Sequence, residues 1–119
     1  MVSKFIAEKG KLIIDSGPSI NFIDSGQIIF CEQRGEELVF CMADNSSLTV
    51  HFGIHELSEL LENSSFVRIG KAFVINLKYL EHIPDPASGY IEMAGGHRVP
   101  VTGTFKKMIF EGFKKMENS

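Results

Sequence analysis

The sequence predicts a single, mostly β domain of short antiparallel strands, with one helix near its middle and one at its C-terminus. Short apolar runs, many of them alternating with polar residues, recur along the chain and are separated by turn-forming residues. A helical period replaces this pattern over residues 54–61 and 105–115. The chain has 119 residues, 44% hydrophobic and including ten Phe, which is enough for one core without disulfides or metals.

The first half of the chain has the pattern of an antiparallel meander. Each apolar run is followed by turn chemistry such as Asp15-Ser16-Gly17-Pro18 or Asp24-Ser25-Gly26-Gln27. Gly35 lies between two apolar runs and is free to take the positive φ of a hairpin turn. The expected strands are 11–14, 19–23, 28–32, 38–42 and 47–52.

The middle of the chain changes period and then returns to strands. The apolar face of the predicted helix consists of Ile54, Leu57, Leu60 and Leu61. Two β-branched and aromatic runs follow over residues 66–77, separated by Gly70-Lys71. Alternation places Arg68 on the same face as Phe66. A charge in that position requires an acidic partner, a backbone contact or a phosphate.

The last third of the chain predicts three further strands and a helix. The strands are 79–83, 90–93 and 98–101. Pro100 cannot donate to a strand ladder, so it restricts the last strand to an edge or a terminal position. Thr102 or Thr104 can cap the final helix, which runs from about Phe105 to Lys115.

Charge is unevenly distributed along the chain. The formal net charge is −3, with 4 Lys+Arg against 10 Asp+Glu in residues 1–65 and 8 against 5 in residues 66–119. The two halves therefore sum to −6 and +3, which favours a basic face on the C-terminal half. Such imbalances are also common in soluble domains, and composition alone leaves both interpretations open.

The cysteines and the lack of targeting signals predict a cytoplasmic protein. Cys31 and Cys41 lie in neighbouring apolar runs and are interpreted as small buried hydrophobic residues with reduced thiols. No secretory signal precedes them, and no apolar run approaches the roughly 20 residues of a membrane span. We expect no contact with a membrane.

Patterns for catalysis or metal binding are weak. His51 and His55 are four residues apart, but one falls in a strand and the other in the helix, so they do not share a helical face. No phosphate loop, dinucleotide fingerprint or nucleophile elbow occurs, and no pair of carboxylates is brought together. We expect no enzyme activity, no metal and no cofactor.

Four segments together resemble the LytTR family of bacterial DNA-binding domains. Residues 66–80, FVRIGKAFVINLKYL, are similar to the family signature F-x-R-I-H-[RK]-S-[YF]-[IV]-V-N-L-x-x-I. Residues 28–32 resemble its D-I-x-Y-I-E strand, and residues 57–61 its L-x-E-L-x-x-L helix. Residues 98–107 resemble its closing I-P-V-S-R-x-Y-K-K segment. The order and spacing hold over residues 11–116.

This resemblance implies that residues 1–119 form one such domain, with 1–10 as an N-terminal lead-in and 11–116 as the domain core. It further implies an elongated, mostly antiparallel domain of about ten strands. Domains of this family usually form the output half of response regulators, behind a receiver domain. They contact double-stranded DNA through loops that reach successive grooves and bend the duplex, commonly as homodimers on paired repeats.

The chain departs from the family at three positions. Gly70 replaces the histidine of the signature, Ala72 its serine, and Gly103 the arginine of the closing segment. Arg68 and Asn76 match. Two roles stay open for each of them: a contact with DNA, or a structural role in which Arg68 braces the loop and Asn76 caps the following turn.

The resemblance and the residue chemistry together give a set of candidate DNA contacts. Arginine can read guanine bidentately, a loop lysine suits a phosphate, and the start of the last helix offers hydroxyl and N–H groups to a phosphate. The candidates are Arg34, Arg68, Lys71, Thr102, Thr104, Lys106 and Lys107.

The leading hypothesis is sequence-specific DNA binding by the output domain of a transcriptional regulator. The alternative is a LytTR-like module that has lost base readout and acts through protein contacts. An enzyme would require a pocket with converging titratable groups, which the sequence does not predict.

Overall fold

A five-stranded antiparallel sheet forms the centre of the fold in our computed structural model, which describes residues 3–62 and 64–117. Its strands, in spatial order, are β6 (Ser47–His51), β5 (Glu37–Met42), β4 (Ile28–Arg34), β8 (Phe73–Asn76) and β7 (Phe66–Ile69). β4 pairs with β5 on one side and with β8 on the other.

Two smaller antiparallel sheets and two helices complete the eleven-stranded fold of the described residues. The first small sheet contains, in spatial order, β1 (Lys4–Ile6), β2 (Lys11–Asp15) and β3 (Ile20–Asp24). The second contains β11 (His97–Pro100), β10 (Tyr90–Met93) and β9 (Leu80–His82). The helices are α1 (Ile54–Leu60) and α2 (Phe105–Glu117).

The central sheet separates two hydrophobic cores. The first core joins one face of the sheet to α1 and to the first small sheet, through residues such as Leu12, Phe40 and Leu57. The second core joins the opposite face to α2 and to the second small sheet, through residues such as Ile75 and Ile109. Each small sheet and each helix thus buries its apolar face against the same central layer.

Strand β4 contributes to both cores because its backbone is irregular near its start. Ile28 and Cys31 pack in the first core, whereas Ile29 and Phe30 pack in the second. The register of the β4–β5 pair shifts between Ile28 and Phe30, and a shift of this kind turns two consecutive side chains to the same face. One continuous apolar run can therefore supply side chains to both cores.

The predicted fold class is confirmed: the domain is mostly β and antiparallel, with one central and one C-terminal helix. It is elongated, with principal extents of 43 × 32 × 25 Å. Pro100 lies in the edge strand β11, as its missing N–H requires. Among the described residues, no helix is both long enough and apolar enough to cross a membrane.

Two elements differ from the sequence prediction. Residues 1–10 are expected only as a lead-in, yet Lys4–Ile6 form β1 and pair with β2. A strand of three residues carries too little pattern to be predicted, and its partner strand defines it. The strand expected over 79–83 begins one residue later, because Leu77–Tyr79 form a 3-10 turn whose start is capped by the Asn76 side chain.

The two cysteines lie on opposite faces of the central sheet and are both free thiols. Cys31 is fully buried in the first core, and Cys41 is half-buried against the second. Burial raises the pKa of both thiols, more strongly for Cys31, because the thiolate is poorly solvated there. Their interpretation as small buried hydrophobic residues agrees with this environment.

Helix α2 lies close to the central sheet at Gly112. An ideal Cβ on Gly112 would lie 2.5 Å from Val67 Cγ2 and 2.8 Å from Leu77 Cδ1. Both distances are shorter than a van der Waals contact, so the glycine allows the helix to approach β7 and the turn that follows β8.

We therefore expect Gly112→Ala to destabilise the protein. Overpacking costs about 1–3 kcal/mol, and a gain in helix propensity of about 1 kcal/mol offsets only part of it. The free energy of unfolding, measured by urea denaturation, should fall by about 1 kcal/mol. The exposed neighbour provides a control, since Glu111→Ala should change it by less than about 0.5 kcal/mol. A Gly112→Ala variant as stable as the parent would contradict this close packing.

Candidate nucleic-acid interface

The tip of the β4–β5 hairpin and the β7–β8 turn lie side by side at one end of the central sheet. Glu32 of β4 pairs with Phe73 of β8. One step further, the Gln33 backbone N–H donates to the Ala72 carbonyl over 2.8 Å. Arg34, which follows Gln33, and Lys71, which precedes Ala72, are therefore brought to the same edge although they are far apart in sequence.

The start of helix α2 lies toward the same end of the molecule. The helix crosses β7 at Gly112. Met116, near the C-terminus of the helix, lines a cleft with Ser65 and Asn76. These two residues lie where β7 begins and β8 ends, which is the end of the strand pair away from its connecting turn. The helix therefore runs antiparallel to β7, with Phe105 toward the Gly70–Lys71 turn. The four remaining candidates on this segment are all exposed: Thr102, Thr104, Lys106 and Lys107.

Arg34 is exposed at the hairpin tip but is not a free cation. Its Nε and Nη2 donate to Glu32 Oε1 over 3.1 and 2.9 Å. An exposed ion pair of this kind contributes at most about 1 kcal/mol to stability. The guanidinium can therefore exchange Glu32 for another acceptor at little cost. Lys71, by contrast, extends from its turn as an exposed cation.

Arg68 holds the β7–β8 turn in place. Its Nη2 donates to the Lys71 carbonyl over 3.1 Å, and its Nη1 lies 3.3 Å from His55 Nδ1. A guanidinium can only donate, so His55 Nδ1 acts as the acceptor. The other ring nitrogen, Nε2, lies 3.0 Å from Glu59 Oε1. These contacts confirm the bracing role, and a DNA contact by Arg68 stays a prediction.

Asn76 is buried and fastens three segments to one another. Its Nδ2 donates to the Ile28 carbonyl over 3.0 Å, while its Oδ1 accepts from Ser65 Oγ over 2.8 Å and from the Lys78 N–H over 3.1 Å. The capping role expected for Asn76 is therefore confirmed. Because its donor and acceptor groups are satisfied, this buried amide stabilises the fold rather than facing a ligand.

Gln33 is a structural residue that sequence reasoning missed. Its Oε1 accepts from the Ile54 N–H over 2.6 Å, which satisfies one free donor at the start of α1. Its Nε2 donates to the Glu37 and Phe52 carbonyls over 3.0 and 3.2 Å. A glutamine at a strand end resembles any solvated residue, so no pattern in the sequence signals this role.

Two of the three positions that depart from the family signature have a left-handed backbone. Gly70 has φ +69° and Gly103 has φ +57°. An L-residue in this region costs about 1–2 kcal/mol. Glycine therefore fits the local backbone at both positions, and it presents no side chain toward a ligand.

The chain is similar to known proteins in sequence and in fold. The family model described as the LytTr DNA-binding domain matches residues 19–114. The sensory transduction protein LytT of Bacillus subtilis (strain 168) is 30% identical over 105 residues, which cover 87% of this chain and 43% of that protein. The chain thus spans less than half the length of this curated relative.

A solved structure, described as a LytTr DNA-binding domain of a response regulator from Bacillus cereus, has the same fold. It matches with a TM-score of 0.69 and 20% sequence identity, over 88% of this chain and 97% of that one.

The bracing role of Arg68 predicts a local effect of its removal. Arg68→Met keeps the apolar stem of this half-buried residue but removes the exposed hydrogen bond to the Lys71 carbonyl, which is worth about 1.5 kcal/mol at most. Hydrogen exchange at the Gln33 amide, which bonds Ala72, should become up to about tenfold faster. Lys71→Met serves as the control, because the exposed Lys71 side chain bonds no other residue in the described part of the chain. Equal exchange rates in the two variants would contradict the brace.

Proposed function

The chain belongs to the LytTR family of DNA-binding domains, and from that membership we propose that it binds double-stranded DNA with the end of the central sheet where its loops converge. The observation that carries this proposal is the Gln33–Ala72 backbone hydrogen bond of 2.8 Å. It places the β4–β5 tip beside the β7–β8 turn, and α2 begins toward the same end. As the family resemblance implies, these loops would reach the grooves on one side of a bent duplex.

The candidate residues divide by chemistry. Lys71, Lys106 and Lys107 are exposed cations suited to phosphates. The hydroxyl groups of Thr102 and Thr104, with the free N–H groups at the start of α2, add neutral phosphate contacts. These groups would set the position of the duplex without reading its sequence.

Arg34 is the candidate for base readout. Its guanidinium can leave the exposed Glu32 carboxylate and donate two hydrogen bonds to guanine O6 and N7 in the major groove. Arg68 would act as a positioning residue, because its hydrogen bond to the Lys71 carbonyl fixes the turn that presents the lysine.

The regulatory setting is also part of the proposal. The matched part of the B. subtilis relative is 43% of that protein, which leaves room in a longer chain for a receiver domain. We propose that the domain acts in the bacterial cytoplasm as the output module of a transcriptional regulator, and that two copies occupy paired repeats on DNA.

Selection of bound sites from random duplex, followed by a salt titration on the best site, tests DNA binding. Log K should fall linearly with log[salt], with a slope of about −0.9 for each phosphate neutralised. Lys71→Ala and Lys106→Ala should each weaken binding and reduce the steepness of the slope by about 0.9.

Lys4→Ala is the matched control, because Lys4 is an exposed lysine in the first small sheet, away from the proposed surface. It should leave the slope unchanged. A flat salt response in the parent, or no bound duplex at low salt, would refute the proposal. If Lys4→Ala reduces the slope of log K against log[salt] and the other two variants do not, the DNA lies on another surface.

A protein-binding module with reduced DNA readout is the second candidate function. It is favoured by Gly70, Ala72 and Gly103, which lack the side chains of the family signature, and by the exposed aromatic rings of Phe110 and Phe113 on α2. Restoring two side chains in Gly70→His combined with Gly103→Arg separates the two functions.

If the parent binds DNA, the double variant should change affinity or site preference only moderately. Strong DNA binding that appears only in the variant would favour the protein-binding module. Unfolding of both proteins should be measured in parallel, because each substitution strains a left-handed backbone by about 1–2 kcal/mol.

A further inference from the structure

The free edge of β3 carries two of the large apolar side chains exposed on the surface. Among the described residues β3 pairs only with β2, so its other edge has no partner strand there. Phe22 is 62% exposed and Ile20 43% exposed. Their cross-strand partners on the same face of the sheet are Ile13, which is buried, for Phe22 and Asp15 for Ile20.

This edge lacks the features that protect the other edges from pairing. Natural edge strands carry lysine, proline or other charged and polar residues that discourage a second strand. The protecting residues elsewhere are Lys4 in β1, Thr49 and His51 in β6, Arg68 in β7, Glu81 in β9 and Pro100 in β11. β3 has the sequence INFID, and its one charge, Asp24, stands opposite Lys11 of β2.

The register of the hairpin defines which backbone groups point outward. The Ser16 N–H donates to the Ser19 carbonyl over 3.0 Å and closes the turn. Bonded and non-bonded pairs alternate along an antiparallel ladder. Counting from this turn, Asn21 is bonded to β2, whereas Ile20 and Phe22 direct their N–H and C=O groups toward the free edge.

We propose that β3 pairs in an antiparallel manner with β3 of a second copy of this chain, with Asn21 at the two-fold axis. In this register Ile20 stands opposite Phe22 of the second copy, and Phe22 opposite its Ile20. Each pair exchanges two backbone hydrogen bonds, which gives four across the interface. The contact is isologous and closes on itself, so it produces a dimer rather than a fibre.

Self-complementarity identifies a second copy as the occupant, in preference to an unrelated strand. The pairing places the two exposed apolar residues of one copy directly against those of the other. Across the joined sheets, each row of side chains contains Lys4, Ile13 and Phe22 of one copy. It continues with Ile20 and Asp15 of the second copy. The row is apolar at its centre and carries opposite charges at its two ends, so no like charges face each other.

Disulfide trapping tests the register in the absence of DNA, so the result does not depend on the proposed function. The Cα atoms of a non-bonded antiparallel pair lie about 4.5 Å apart, which a disulfide can bridge. Asn21→Cys should therefore form a covalent dimer under mild oxidation. The control is Ser47→Cys, a thiol at a more exposed position on the edge strand β6, which should cross-link no more than the parent with its two native cysteines.

Sedimentation equilibrium tests the interface itself. The parent should change from monomer to dimer between about 10 μM and 1 mM. Ile20→Lys should weaken this association about tenfold or more, because it places a charge in the apolar row. Thr49→Lys, at an exposed position on the edge strand β6, should leave it unchanged.

Three results would overturn the proposal. In the first, the parent stays monomeric up to about 1 mM. In the second, the parent dimerises but Ile20→Lys does not weaken the dimer. In the third, Asn21→Cys cross-links no more than the Ser47→Cys control. Circular dichroism of each variant should match that of the parent, because the substituted side chains lie at exposed or half-exposed edge positions.

Discussion

The pairing of β4 with β8 is the interaction on which the rest of the structure depends. β4 is buried on both faces of the central sheet and supplies side chains to both cores. The Asn76 amide fixes one end of the pair to the Ile28 carbonyl, and the Gln33–Ala72 backbone hydrogen bond fixes the other. Two turns that are far apart in sequence are therefore held side by side on a rigid layer.

The polar side chains within the apolar strands serve this arrangement. Gln33 ties the hairpin tip to the start of α1, and Arg68 ties the β7–β8 turn to α1 through His55. The Gln33 amide and the two terminal nitrogens of Arg68 bond backbone atoms or a neighbouring side chain, which offsets part of the cost of burial. The Arg68 Nε is buried and has no hydrogen-bond partner among the described residues. The scaffold thus defines the shape of the loops, while the exposed cations Lys71 and Lys106 stay available for a ligand.

The sequence predicted the fold well where a pattern was long or a motif distinctive. Alternation and helical period indicated most strands and both helices, and the signature around Arg68 indicated the family. The three-residue strand β1 had no pattern of its own. The role of Gln33 depends on a contact with Ile54, 21 residues away, and the ion pair of Arg34 depends on how one strand orients its side chains. Such contacts arise from packing, which residue order alone does not specify.

Chemical-shift mapping of the isotope-labelled domain with its selected duplex tests the central claim most directly. If the β4–β8 pairing presents one DNA-binding end, the largest amide changes should occur together around Arg34, Lys71 and residues 102–107. The first small sheet should change little, apart from any effect of self-association at β3. Changes concentrated on that sheet, or confined to one of the three loops, would contradict the account.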